Sequence, residues 1–239
     1  MDIQIFKKGF NFSQDGPGNR LVYHLQGCNL VCPWCANPEG MGDGGAAVSV
    51  EELADEAVSC RAMFFSGGGV TLTGGEPTMQ FAAVYRLLQR LKEIGIDTAM
   101  ETNGTHPDLE RLFPLVDHLM VDCKHYDGAA LRQMTGAGDM VFANLKKAAG
   151  SHPDLLIRIP LIGGFNASAQ DAKGFAAFFS SLPTAGVCVE VLPYHAYGKS
   201  KWEASGKVYQ MGDAAFVSAE QVTVFRQCLT DAGCRVVRT

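Results

Sequence analysis

The sequence predicts an α/β fold in which parallel strands are covered by helices. Two features carry this prediction: short apolar segments alternate with longer amphipathic ones, and the unusual polar residues gather where the apolar segments end. The candidate strands are Arg20–Gln26, Val70–Thr73, Asp97–Glu101, His118–Asp122, Leu155–Pro160 and Val187–Leu192. Each is rich in Val, Ile and Leu and stops near Gly, Pro or a polar residue. Between them lie helical stretches. Val50–Met63 follows Ser49, an N-cap candidate with Glu52 three residues on. Gln80–Ile94 places Phe81, Val84, Leu88, Leu91 and Ile94 on one stripe and stops at Gly95. Ala167–Leu182 and Ser218–Ala232 read the same way, the latter closed by Gly233. Strands alternating with helices call for a parallel sheet. A closed eight-fold barrel takes about 250 residues, and about six strand–helix units fit a chain of 239. The pattern therefore points to a shorter, open barrel or a doubly wound sheet. The Gly-rich stretches 40–45 and 67–69 read as loops inside one domain spanning 1–239, with no linker or internal repeat.

Composition narrows the function classes. With 47% hydrophobic and 19% charged residues, the chain can bury a substantial core, which excludes disorder for most of it. A net charge of −5 argues against broad nucleic-acid binding. No apolar run approaches the ~18–20 residues that span a bilayer, and the start lacks a signal-peptide core. A cytoplasmic location is the expectation.

The eight cysteines are unevenly spread. Cys28, Cys32 and Cys35 crowd into one loop, whereas Cys60, Cys123, Cys188, Cys228 and Cys234 are scattered. Crowded cysteines in a reducing compartment more often hold metal or carry redox chemistry than form disulfides. The scattered ones read as small buried hydrophobes. The spacing is C-x3-C-x2-C, directly after the first parallel strand. A structural zinc site wants four closed ligands, and an ordinary ferredoxin cluster also takes four cysteines. Three cysteines leave one iron of a cluster open to a small molecule. A zinc site completed by a distant residue such as His24, or three core cysteines, are the competing readings.

The other strand ends are also polar. The second ends in Gly74-Gly75-Glu76-Pro77, where glycines admit a close backbone approach and Glu76 can accept from an ammonium. The third ends at Glu101-Thr102-Asn103-Gly104 and the fourth at Asp122-Cys123-Lys124-His125. Two carboxylates and a lysine on one rim suit a hard cation and a carboxylate ligand. Arg158 lies inside the apolar fifth strand and needs an anionic partner, either a structural ion pair or a ligand. The sixth strand ends in Leu192-Pro193-Tyr194-His195, which makes His195 a ligand-contact candidate. Gly198-Lys199-Ser200 looks like the end of a phosphate-binding loop, but the required first glycine falls on Pro193, so a nucleoside-triphosphatase is excluded.

The cysteine loop, with Trp34 before its third cysteine, resembles the radical S-adenosylmethionine (SAM) superfamily. The match extends further. Asp15-Gly16-Pro17-Gly18 with Arg20, the segment Ser66–Glu76, Asp122-Cys123-Lys124, Leu192–His195 and Gly198-Lys-Ser-Lys-Trp202 are similar, in order and spacing, to the glycyl-radical-enzyme activating enzymes, and most to the pyruvate formate-lyase activating type. This resemblance covers essentially the whole chain. It implies a partial (β/α)6 TIM-type barrel with outer helices. It implies a [4Fe-4S] cluster on Cys28, Cys32 and Cys35, and SAM held by Trp34, Cys35, Ala36, Gly74, Gly75, Glu76, Asp122, Cys123, Lys124 and His195, with Arg158 a further contact. A monovalent cation, Na+ or K+, would sit at Glu101, Thr102, Met120 and Asp122. Asp15 would face the glycine loop of a partner glycyl radical enzyme, and a flavodoxin or ferredoxin would donate electrons to a monomeric activase. The implied reaction is reductive cleavage of SAM to a 5′-deoxyadenosyl radical that abstracts hydrogen from a partner glycine.

There are departures from the family pattern. Glu101 stands where aspartate is expected. Asn37-Pro38-Glu39 is similar to relatives that activate dehydratases and other lyases, which usually carry an inserted ferredoxin-like domain. Here the stretch from the cysteine loop to Gly74 holds only Cys60, so no insert is expected. The tail from Tyr209 to Val217 lacks the expected proline-rich form. A radical SAM enzyme acting on a small molecule, or a non-catalytic iron–sulfur electron carrier, are the alternatives; the second leaves the polar strand ends unexplained.

Overall fold

The computed structural model describes residues 1–183 and 186–238, and they fall into two compact units. The first comprises 1–29, 39–102 and 106–120; the second 30–38, 103–105 and 121–239.

The first unit opens with β1 (Asp2–Phe12) and β2 (Asn19–Leu25), an antiparallel pair, and β3 (Ala46–Ser49) adds antiparallel to β1. Helix α1 (Val50–Ser59) leads to β4 (Gly69–Gly74), and α2 (Phe81–Glu93) to β5 (Thr98–Thr102). Strand β6 (His118–Asp122) starts in this unit and ends in the second. The sheet order is β3-β1-β2-β4-β5-β6. β2, β4 and β5 run parallel, Leu21 facing Val70 and Val70 facing Thr98. Buried parallel strands read as near-continuous apolar runs, and Leu21, Val22, Tyr23, Leu25, Val70 and Leu72 are all buried.

Local sequence explains the helices. Ser49 and Glu52 form the expected capping box at α1. The helix ends at Ser59 rather than Met63, because Arg61–Met63 tightens into a separate 3-10 turn. In α2 the buried residues are Ala83, Val84, Leu87, Leu88 and Leu91. Phe81 and Ile94, expected on the stripe, are half-buried at the helix edges.

The second unit holds α3 (Gly128–Thr135), α4 (Met140–Ser151), β7 (Leu155–Leu161), α5 (Ala169–Ser180), β8 (Cys188–Pro193), α6 (Lys199–Ala204), α7 (Ala219–Asp231) and β9 (Arg235–Val237). β7, β8 and β9 are parallel, with Arg158 opposite Glu190. Capping boxes start α5 at Ser168 and α7 at Ser218. An aromatic core of Phe175, Phe179 and Phe225 joins α5 to α7, with ring centroids 5.7 Å apart between Phe175 and Phe225. β1, β3 and β9 lie outside the expected alternation, and α5 is two residues shorter at each end than read from the sequence. Gly69, read as loop, opens β4 instead. Among the described residues, no helix is long and apolar enough to cross a membrane.

Candidate functional site

In the first unit, the carboxyl ends of β2 and β4 are knitted together by main chain. Gly75 N–H donates to Leu25 O at 2.9 Å, Glu76 N–H to Gly27 O at 2.7 Å, and Gly27 N–H to Gly40 O at 2.9 Å. A Cβ on Gly75 would lie 2.1 Å from Gly27 O and 2.6 Å from Gly40 O, so glycine is the residue that fits. Cys28 follows directly on this junction. Glu76 is buried; its Oε1 accepts from Thr78 N at 3.1 Å, Thr78 Oγ1 at 2.6 Å and Thr102 Oγ1 at 2.7 Å. Three donors on one oxygen hold the Glu76 side chain in a fixed position. Glu101 Oε2 accepts from Thr73 Oγ1 at 2.7 Å, which aligns the ends of β4 and β5. Met120 is buried in β6.

Asp15 stands elsewhere in this unit. It lies in the β1–β2 turn, at the amino end of β2, whereas Cys28 follows the carboxyl end. Its carbonyl accepts from Thr71 Oγ1 at 2.7 Å, and its carboxylate from Asn11 Nδ2. Beside it, fully buried Arg20 donates to Thr71 Oγ1, Pro17 O, Asp97 Oδ1, Val70 O and Asp97 O, at 2.7 to 3.2 Å. Burial pushes the Arg20 guanidinium below its ordinary value, and Asp97 opposes that shift. The structure groups Gly74, Gly75, Glu76, Glu101 and Thr102 at the carboxyl ends, while the β1–β2 turn lays Asp15 against Thr71 in the middle of β4 and Gly16 near Ala99 in β5.

In the second unit, the cysteine loop folds back between helices. Val31 N–H donates to Thr135 O at the end of α3, at 3.0 Å. Cys35 N–H donates to Cys32 O at 3.1 Å, a tight turn that brings the two cysteines near each other. Asn37 N–H points at Cys35 Sγ, 3.4 Å away. Trp34 is buried with its ring 5.1 Å from that of Phe165. Lys124 ion-pairs with Asp122 and is nearly buried. Cys123 N–H donates to Arg158 O at 2.8 Å, and burial, reinforced by Asp122, pushes its thiol up so that it stays protonated. Arg158 Nε donates to Glu190 Oε2 at 2.9 Å, inside the sheet. His195 lies at the surface, stacked 4.2 Å from Tyr197, and desolvation pushes its imidazole below its ordinary value.

Sequence reasoning missed Asn166. It is fully buried, accepts from Ile162 N at 2.7 Å and donates to Lys124 O and Pro160 O, both at 2.8 Å. It ties the loop after β6 to the loop after β7, and its signal is a lone amide in an otherwise apolar stretch. Also missed were the contacts of Gly198, Lys201 and Trp202 with the cysteine loop.

The donor chemistry of the three cysteines suits a cluster, although among the described residues no three His, Cys, Asp or Glu side chains converge on one point. Thiolates are soft ligands that suit iron–sulfur centres, and an N–H aimed at a cysteine sulfur is the usual outer support of such a ligand. Parallel strands whose carboxyl ends carry a three-cysteine loop and a glycine cradle define a class of cluster-dependent α/β enzymes.

The comparisons with known proteins agree. A family model of the Radical SAM superfamily matches residues 22–175. The pyruvate formate-lyase 2-activating enzyme of Escherichia coli (strain K12) is 30% identical over 93% of this chain and 87% of its own. The pyruvate formate-lyase-activating enzyme of Staphylococcus aureus (strain USA300) is 32% identical over 87% of both. A crystallised domain of pyruvate-formate lyase-activating enzyme from Bacteroides vulgatus is 27% identical, with a TM-score of 0.59 over 72% of this chain and 98% of that one. A radical SAM methyltransferase from Sphaerobacter thermophilus, 17% identical, shares the fold with a TM-score of 0.70 over 95% of this chain and 67% of that one. The chain belongs to the Radical SAM superfamily and, within it, to the glycyl-radical-enzyme activating enzymes of the pyruvate formate-lyase activating type. Its parallel strands and helices are of the α/β class that its radical SAM neighbours share, and it is an enzyme that uses a [4Fe-4S] cluster and SAM.

Proposed function

We propose that this enzyme installs the radical on a partner glycyl radical enzyme, pyruvate formate-lyase or a related lyase or dehydratase. The observation that carries the reading is the Cys32–Cys35 turn with Asn37 N–H on the Cys35 sulfur. When bound, the cluster supplies one electron that breaks the C5′–S bond of SAM, and the resulting 5′-deoxyadenosyl radical takes a hydrogen atom from a glycine Cα. Cys28, Cys32 and Cys35 would hold the cluster, a three-thiolate set that would let it act on bound SAM. Gly74, Gly75 and Glu76 receive the methionine amino group, with Glu76 Oε1 anchored by Thr78 and Thr102. Lys124, paired with Asp122, meets the methionine carboxylate. Trp34, Ala36, Cys123 and His195 line the rest. The neutral imidazole of His195 can accept from the ligand. Arg158, whose Nε donates to Glu190, is a further SAM contact in this reading. Glu101, Thr102, Met120 and Asp122 take Na+ or K+ beside that carboxylate.

Asp15 receives the partner's glycine loop. A flavodoxin or ferredoxin supplies the electron, and the activase works as a monomer of one domain without a ferredoxin-like insert. The test is formation of 5′-deoxyadenosine by anaerobically reconstituted, reduced protein given SAM. Product that Cys32→Ala abolishes is expected. Full activity in Cys32→Ala with an intact cluster overturns the assignment.

A further inference from the structure

The segment Gly198–Trp202, which looked like a broken phosphate loop, grips the cysteine loop. Lys201 Nζ donates to Ala36 O at 2.9 Å and to Asn37 Oδ1 at 2.7 Å. Trp202 Nε1 donates to Cys35 O at 2.9 Å. A Cβ on Gly198 would sit 2.3 Å from Cys35 O and 3.1 Å from Ala36 Cα, so the two segments meet without a side chain between them. Trp202 is backed by Tyr209, ring centroids 6.0 Å apart, whose hydroxyl meets that of Tyr194 at 2.7 Å.

The geometry has one electronic consequence. Ala36 C=O and Asn37 N–H belong to one planar peptide unit. Lys201 holds its oxygen while its N–H points at the Cys35 sulfur. A cation on the carbonyl polarises the peptide and strengthens the hydrogen bond its N–H donates. Hydrogen bonds to ligand sulfurs raise the reduction potential of an iron–sulfur cluster. Trp202 fixes the preceding peptide in the same way from its own carbonyl.

We infer that Lys201 and Trp202 are positioning residues that hold and polarise the Ala36–Asn37 peptide against the Cys35 sulfur and so set the potential of the cluster. This rests on the reading of Cys35 as a cluster ligand. The test is an anaerobic redox titration, followed by electron paramagnetic resonance, of wild type, Lys201→Met, Lys201→Arg and Trp202→Phe. The midpoint potential falls in Lys201→Met, falls by less in Trp202→Phe, and returns toward wild type in Lys201→Arg, at equal iron content. Coincident potentials in fully loaded variants overturn the inference. Amide exchange at Asn37 in the cluster-free protein covers variants that load poorly. It is expected to quicken about tenfold in Lys201→Met, as loss of a charge-assisted hydrogen bond permits; an unchanged rate overturns the inference. Wild-type protein that takes up no cluster through Cys35 instead defeats the underlying reading, and the exchange result still decides whether the grip exists.

Discussion

The two ends of β2 and β4 in the first unit are joined by opposite means. At the amino ends, Arg20 spends five hydrogen bonds on Thr71, Asp97 and three carbonyls. At the carboxyl ends, peptide groups of Leu25, Gly27, Gly40, Gly75 and Glu76 bond each other across glycines. The first junction is saturated by a side chain and is rigid. The second is closed by main-chain hydrogen bonds, with no room for a side chain on Gly75. The contrast marks which end is scaffold and which is chemistry, as parallel α/β folds generally place it.

The largest effect that would break this contrast is on stability at the amino end. Arg20→Met strands a carboxylate and several carbonyls and should cost about 3 kcal/mol, read as the shift of a urea midpoint; a loss under about 1 kcal/mol would mean the junction is redundant. Next comes Gly75→Ala, whose methyl cannot share space with Gly27 O. It should cost about 2 kcal/mol and weaken SAM binding at least about tenfold by equilibrium dialysis; unchanged binding would show that the carboxyl junction tolerates bulk. Asp15→Ala removes a carboxylate with a contact to Asn11. Stability should move by less than about 0.5 kcal/mol, and glycyl radical formation should fall about tenfold while uncoupled 5′-deoxyadenosine formation persists. Equal loss of both activities would overturn the assignment of Asp15 to the partner's glycine loop. The smallest change is expected of Glu101→Asp, which shortens the acceptor of Thr73. SAM affinity in Na+ or K+ should change by about threefold or less, and a larger change would give that carboxylate a weight its hydrogen bond does not suggest.

Much of the fold was legible because it rests on local rules. Six of the strands, β2 and β4 to β8, announced themselves through apolar runs, and Ser49 through a capping spacing that the structure reproduces. β1 was not legible. Its burial alternates for only a few residues, it carries Lys7 and Lys8, and a register shift between Ile5 and Lys7 breaks the period. Asp15 was legible as a motif residue but not as a neighbour, because only the antiparallel turn puts it at the amino end of β2. Arg158 needed its cross-strand register with Glu190, which no single strand discloses. Lys201 and Trp202 lay hidden for another reason. Their partners are 165 and 167 positions away along the chain, and no periodicity links a lysine to a carbonyl.

That distance has a consequence for how the protein is made. Lys201 and its carbonyl partner are 165 positions apart, and the ribosome releases Cys35 long before it releases α6. Until then the cysteine loop lacks the segment that grips it, and closing so long a loop costs entropy that only the finished chain recovers. The grip of Lys201 on the cysteine loop therefore forms only after α6 has emerged, and a truncated chain ending before Lys199 would carry every cysteine of the loop without that contact.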